Sequence, residues 1–334
     1  MAVYTLINKN QLESLLSFYD LGELKEYTPL TAGTTNSNYK LTLANNKSYV
    51  LTIIEQKLSN AELDFCIHYA EHLSKNNIPA AAPIKTHQGH STISFLDKPV
   101  LITPFVIGES KISNSNLLKI EHSAEIGKTL SNMHKASRGF DLFRANPAGL
   151  TWCINAFKEM DDYLSSDNFL LIKEELEYQI INHELLLEDN NNNIKNITGA
   201  VHADLFCDNV IFANNKITGI IDFFYSCTDY YLYDLAIVVN EWALDSSSHK
   251  IINNDLYRTL MSHYKSEFEN NNDLLTLTNQ TEFWQGMLRQ AALRFWLLRL
   301  NAFYKPNDSG IKTVKDPEEY KLKLLFHREN ILNL

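Results

Sequence analysis

His202-Ala203-Asp204-Leu205-Phe206-Cys207-Asp208-Asn209-Val210-Ile211-Phe212, followed by Lys216-Ile217-Thr218-Gly219-Ile220-Ile221-Asp222-Phe223, decides how this chain is read. Residues 210–212 and 217–221 are β-rich runs, and Asn214-Asn215 between them tolerate the positive φ of a tight hairpin turn. With the turn centred near Asn215-Lys216, residue 209 faces residue 222 across the ladder, and a one-residue change in turn position moves that pairing by only two places. Asn209 and Asp222 are therefore expected as neighbours, with Asp204 in the loop just upstream. Three oxygen-bearing side chains on one edge make a hard-ligand set suited to Mg²⁺ bound to phosphates. One carboxylate must stay off the metal to orient a hydroxyl.

Upstream of this stretch, residues 26–54 alternate apolar and polar side chains in three bursts. The breaks fall at 33–37 and at Ala44-Asn45-Asn46-Lys47, which predicts a three-stranded antiparallel meander. Residues 58–77 read as a helix ending at Ile78-Pro79, and 99–103 as a further strand before Pro104 interrupts it. Beyond a hinge placed at 104–110 the pattern becomes mainly helical, with helices expected at 116–136, 151–164, 169–188, 230–244, 252–269 and 281–303. The Asn run at 190–193 reads as a surface loop.

The chain's 334 residues suit two domains of ordinary size. With 45% hydrophobic and 21% charged residues there is enough apolar surface to build both cores. A net charge of -10 argues against nucleic acid as a partner, because phosphate neutralisation needs clustered Lys and Arg. No run reaches the roughly 18 apolar residues of a membrane span. The opening Met1-Ala2-Val3-Tyr4-Thr5 lacks a signal peptide's basic start and apolar core, so no membrane association and a cytoplasmic location are expected. Cys66, Cys153, Cys207 and Cys227 form no C-x-x-C pair and read as buried or free thiols.

The quoted stretch resembles the H-x-D-x-x-x-x-N catalytic loop and the later metal-binding Asp of the protein kinase-like phosphotransferases, in particular their aminoglycoside and choline branch. An isolated H-x-D-x-x-x-x-N arises easily by chance; the downstream I-I-D-F, the hairpin and the order of the two halves make it specific. The resemblance implies an α+β, two-lobed protein kinase-like fold. An N-terminal antiparallel β lobe (1–106) would bind nucleotide, and a larger, mainly helical C-terminal lobe (107–334) would carry catalysis and substrate. It also implies that Asp204 is the catalytic base, that Asn209 and Asp222 hold Mg²⁺ against the ATP phosphates, and that His202 orients the loop. Asp234-Leu235-Ala236 is similar to the family's D-L-A, which makes Asp234 a support for that loop, while Asp229 reads as an N-cap.

Gly33-Thr34-Thr35-Asn36-Ser37-Asn38-Tyr39 joins the first two strands and offers backbone N–H groups and short hydroxyls to phosphate oxygens. It resembles the G-x-x-N-[ST]-N-Y of homoserine kinases, so Gly33, Thr34, Thr35, Asn36 and Asn38 are expected at ATP. Where most kinases place a phosphate-contacting Lys, the third strand carries Thr52, as the V-L-T of the homoserine kinase branch does. Lys40 and Lys57 are candidates for the displaced cation, and Glu62 or Glu71 for the helix carboxylate that usually pairs with that Lys.

Ala292-Leu293-Arg294-Phe295-Trp296 and Lys315-Asp316-Pro317-Glu318-Glu319-Tyr320 extend the resemblance to homoserine kinases almost to the C-terminus. The implied reaction is ATP-dependent phosphorylation of the side-chain hydroxyl of L-homoserine to O-phospho-L-homoserine in threonine biosynthesis. Partners are then ATP and a small hydroxyl-bearing amino acid. A homoserine pocket needs a cation for the carboxylate, and Arg289, Arg294 and Arg299 share one predicted helix. Steps of five residues rotate by about 140°, so at most two of them can line a pocket, and Arg294 matches the motif best. Asp208, Tyr225 and Asp229 are candidates for the ammonium. The competing readings are a choline, ethanolamine or aminoglycoside kinase, with an aromatic box drawn from Tyr230, Tyr231, Tyr233, Trp242 and Trp296, and a nucleotide-binding pseudokinase suggested by Thr52.

Overall fold

The computed structural model describes residues 4–31, 35–110, 118–189, 197–245, 252–267, 281–305 and 315–333. In the N-terminal part, α1 (Lys9–Leu16) precedes β1 (Leu24–Leu30), β2 (Ser37–Leu43) and β3 (Ser48–Ile53). After α2 (Asn60–Lys75) come β4 (Ile93–Phe95) and β5 (Lys98–Pro104). They form one antiparallel sheet in the order β1-β2-β3-β5-β4, so the expected meander is present. Strict alternation along β2 explains its two faces. Ser37, Tyr39, Leu41 and Leu43 are buried, and the last three pack with Leu12, Leu15 and Leu16 of α1. The other face carries Asn38 of β2 opposite Thr52 of β3 and roofs a cleft.

Helix α2 starts where its sequence says it should. Ser59 accepts the Glu62 N–H, and the Glu62 carboxylate accepts the Ser59 N–H, a reciprocal capping box. The link from α2 towards β4 ties the two halves together: Ile220 N–H donates to Pro79 O at 2.7 Å and Ala81 N–H to Ile220 O at 2.9 Å.

Past Pro104 a short strand, β6 (Glu109–Ser110), leaves the N-terminal sheet to pair with β8 (Val210–Ala213). Residues 104–110, the stretch read as a hinge, make this crossing. Gly108 makes it possible: at φ 149° it passes so close to the backbone that an added Cβ would stand 2.5 Å from the Phe212 carbonyl oxygen.

The helical half holds α3 (Ile120–Ser137), α4 (Leu150–Met160), α5 (Ser166–Asp189), α6 (Tyr231–Trp242), α7 (Asn254–Glu267), α8 (Thr281–Tyr304) and α9 (Glu318–Glu329). The first six coincide with expected helices; the sequence did not single out α1 or α9. Helix α6 is buried nearly all round, which makes it the centre of the larger core. Trp242, Trp296, Tyr231 and Tyr233 belong to that core, so an aromatic cation box built from them is not formed.

Two short ladders decide where the site lies. β8 pairs with β9 (Lys216–Ile220), and β7 (Thr198–Val201) pairs antiparallel with β10 (Cys227–Tyr230). The loop 202–209 runs from β7 to β8, and the turn 221–226 runs from β9 to β10. Both connections therefore leave the same pair of ladders and lie side by side beneath the N-terminal sheet. All four cysteines are buried and unpaired with one another.

Candidate active site

The hairpin turn forms at Asn214 (φ 52°) and Asn215 (φ 59°), one place earlier than the centre read from the sequence. A register shift between Ile211 and Phe212 then moves the pairing by one, so Val210 faces Ile220 and Ile221 N–H donates to Asn209 O at 3.0 Å. Asp222 lies one residue beyond the partner of Asn209. Both line a cleft of about 420 Å³ under the sheet, as expected, with Thr35, Asn36, Asn38 and Thr52 in its roof.

Asp222 adopts the left-handed conformation, φ 64° and ψ 64°, which an Asp tolerates better than most residues. It heads the 3-10 turn Phe223–Tyr225 and presents its carboxylate to the open cleft. The cleft walls desolvate the group and push it up to about 6, opposed by the backbone N–H of Phe224. Asp204 is more enclosed. Burial pushes it up to about 7; the Arg294 cation opposes this, the Asp222 charge adds to it, and Lys315 and the Asn209 amide oppose it again.

Asn209 and Asp204 are joined directly: the Asn209 Nδ2 donates to the Asp204 carbonyl at 2.8 Å and to its Oδ2 at 3.2 Å. This leaves the Asn209 amide oxygen, the Asp222 carboxylate and one Asp204 oxygen for other partners. Among the described residues no cluster of three or more His, Cys, Asp or Glu could hold a metal alone. An Asn oxygen with one carboxylate is nevertheless the donor set that suits a hard cation when phosphate oxygens complete its shell.

His202 stitches the two connections together. Buried and kept neutral, it donates from Nε2 to Ile221 O at 3.1 Å and accepts the Asp204 N–H at Nδ1 at 3.3 Å. Behind it, Asp234 on α6 accepts the N–H groups of His202 at 3.1 Å and Ala203 at 2.8 Å. Ala203 holds φ 60°, so this carboxylate fixes a strained turn. His134 Nε2 donates to the same carboxylate at 3.2 Å and its Nδ1 accepts the Tyr264 hydroxyl at 2.8 Å. Burial alone would raise Asp234, yet the His134 bond, the nearness of His134 and His202, and the Ala203 N–H hold it below the ordinary carboxylate value.

Of the nucleotide-loop residues, Gly33 and Thr34 lie outside the described residues. Asn36 is buried and accepts the Glu55 N–H at 3.1 Å; Asn38 accepts the Thr52 hydroxyl at 2.8 Å. Thr52 thus pins the loop instead of offering a cation. Lys40 lies 4.4 Å from the Phe105 ring, Glu71 pairs with Lys85, and Glu62 with Arg144 at 3.7 Å.

The three arginines of α8 diverge, as helix geometry requires. Arg289 pairs with buried Glu175 at 2.6 Å and Arg299 with Glu319 at 2.7 Å, while Arg294 turns to the loop 202–209. Arg294 has no exposed surface; its Nη1 donates to the Ala203 carbonyl, and its Nε and Nη2 have no protein partner. Asp208 pairs with Lys315 at 3.0 Å, so the second C-terminal motif closes over the loop. Asp229 is not an N-cap: it lies in β10, accepts from Asn146 at 2.6 Å and from the Tyr230 N–H, and Tyr230 occupies the cap position. The sequence missed Arg144, whose neighbours are remote in the chain.

Residues 26–252 match the phosphotransferase enzyme family. The chain belongs to this family. Relatives along its whole length include the homoserine kinases of Methylobacillus flagellatus, 33% identical over 99% of this chain and 98% of that one, and of Neisseria meningitidis serogroup B, 32% identical over 97% and 99%. In three dimensions this phosphotransferase is similar to an amicoumacin kinase, with a TM-score of 0.69 at 15% identity over 97% of this chain and 93% of that one. It is likewise similar to Plasmodium vivax ethanolamine kinase, with a TM-score of 0.63 at 17% identity over 97% and 85%. The two-lobed kinase-like fold and an ATP-dependent small-molecule kinase activity follow for the phosphotransferase described here. Among its described residues, no helix is long and apolar enough to cross a membrane.

Proposed function

We propose that the protein is a cytoplasmic homoserine kinase, transferring the γ-phosphoryl of Mg²⁺·ATP to the side-chain hydroxyl of L-homoserine. The observation that carries this reading is similarity to homoserine kinases that spans nearly all of both chains. Asn209 and Asp222 line the cleft, and Asp204 is joined to Asn209 at its edge, a set of groups that supports this chemistry.

In this reading the boundary between the lobes is at 106/107, where the chain leaves the N-terminal sheet. Thr35, Asn36 and Asn38, which line the cleft, face the ATP phosphates, with Asn36 held by the Glu55 N–H just past β3 and Asn38 by the Thr52 hydroxyl. Asn209 and Asp222 would hold Mg²⁺, which would supply positive charge to offset that of the ATP phosphates. Asp204 accepts the proton of the homoserine hydroxyl as its oxygen bonds to the γ-phosphorus and the bond to the β,γ-bridging oxygen breaks, leaving ADP. His202 and Asp234 keep Asp204 in place. Arg294, beside it, supplies a fixed positive charge that favours the ionised base.

A panel of homoserine, threonine, serine and choline with ATP and Mg²⁺ tests the assignment. Formation of O-phosphohomoserine with the highest kcat/KM is expected, and chelation of the metal should abolish it. Preferential turnover of choline would replace the acceptor and keep the kinase.

A further inference from the structure

A second cavity, of about 690 Å³, opens on the other side of Thr35 and Phe224, the two residues that line both it and the nucleotide cleft. Phe224 follows Asp222 by two positions, so anything bound here lies next to the metal-holding end of the cleft. The N-terminal half contributes Glu55, Lys57 and Glu62 to its wall; the helical half contributes Arg144, Trp152 and Tyr225. An apolar wall with charges of both signs is what a small zwitterion requires.

The charges are not equivalent. Glu55 is already paired with Lys98 and accepts the Ser37 hydroxyl at 2.6 Å. Glu62 spends Oε2 on the Ser59 N–H and hydroxyl, at 2.9 and 2.7 Å, and faces Arg144 with Oε1. Arg144 is 5% exposed. Its Nη1 is held by the carbonyls of Phe224 and Ser226, both at 2.7 Å, and its Nε is buried with no partner. The guanidinium is thus locked in orientation with donor capacity to spare, and a planar carboxylate is the group that matches such a fork. Lys57 is exposed on the same wall.

We propose that this cavity is the acceptor chamber, in which Arg144, assisted by Lys57, binds the α-carboxylate of the amino-acid substrate, with Glu62 opposite its ammonium. The proposal rests on the amino-acid acceptor reading above. It moves the carboxylate contact from Arg294, which is fully enclosed and lines neither cavity, to a residue that does. Tyr225 on the chamber wall is near enough to Asp204 for that carboxylate's charge to act on its hydroxyl, so the acceptor hydroxyl approaches the base from this side.

Acceptors lacking one charge at a time test this. With kcat/KM measured for homoserine, for 3-aminopropan-1-ol (no carboxylate) and for 4-hydroxybutanoate (no ammonium), the wild type should prefer homoserine over both. Arg144→Gln should reduce homoserine kcat/KM by about 100-fold, mostly through KM, and collapse the preference over aminopropanol towards unity. Lys57→Met, which leaves the Phe224 turn intact, should lower the same preference by about threefold to tenfold. Glu62→Gln should instead erode the preference over 4-hydroxybutanoate. If Arg144→Gln and Lys57→Met depress all acceptors equally, or keep the wild-type preference, the chamber assignment is overturned while the homoserine reading stands. A wild type that ignores homoserine overturns both.

Discussion

Asn209 is bound to Asp204 through a single side-chain nitrogen, which reaches both the backbone carbonyl at 2.8 Å and the carboxylate at 3.2 Å. The proposed metal ligand and the proposed base are therefore one mechanical unit, and disturbing either moves the other. Asn209→Ala is expected to cut kcat by about 10–100-fold and to raise the Mg²⁺ concentration needed for half-maximal rate. A variant with reduced kcat but an unchanged Mg²⁺ requirement would show that Asn209 only positions Asp204.

Asp204 and Asp222 should separate in a metal titration. Asp204→Asn removes the proposed base, so turnover is expected to fall while Mg·ATP affinity is largely kept, and added Mg²⁺ should not help. Asp222→Asn removes a charged ligand, so productive Mg·ATP binding weakens and extra Mg²⁺ restores part of the rate. Rescue of the Asp204 variant by Mg²⁺, with the Asp222 variant indifferent, would interchange the two roles.

Asp234 touches neither cavity but receives two backbone N–H groups and His134 in a site without water access. Asp234→Asn turns an amide towards those donors and leaves at least one unsatisfied. A loss of about 2–4 kcal/mol of stability is expected, read from urea midpoints. Wild-type stability in a folded Asp234→Asn protein would refute the bracing role.

Buried His327 on α9 adds an acid sensitivity unrelated to catalysis. Its Nε2 donates to Asn240 Oδ1 at 2.6 Å, and burial, followed by the nearby Lys323 and Arg289 charges, lowers its pKa to about 3. The folded value lies below the unfolded one, so the unfolded chain takes up the proton first. Stability should therefore fall as pH drops below about 6.5 and continue falling towards 3, at up to about 1.4 kcal/mol per pH unit from this group. His327→Gln should flatten the dependence between pH 6 and 4. An unchanged slope in urea titrations would assign it to other groups.

The sequence alone carried the meander, seven of the helices and the closeness of Asn209 and Asp222. Those features are local: alternation, turn residues and a fixed spacing within a single hairpin determine them wherever the chain is placed. The small offset at Asp222 arose because a register shift inside a ladder leaves no mark in composition. What surrounds Asp204 was decided otherwise. The pairing of β7 with β10 sets the loop 202–209 beside the Asp222 turn. Three arginines of like sequence character met different fates, Arg289 at Glu175, Arg299 at Glu319 and Arg294 sealed beneath Ala203. Arg144 came to hold Phe224 and Ser226 from about eighty positions away. A charged side chain takes its role from whatever partner lies within a few ångströms, and only the packed tertiary structure brings such distant residues that close.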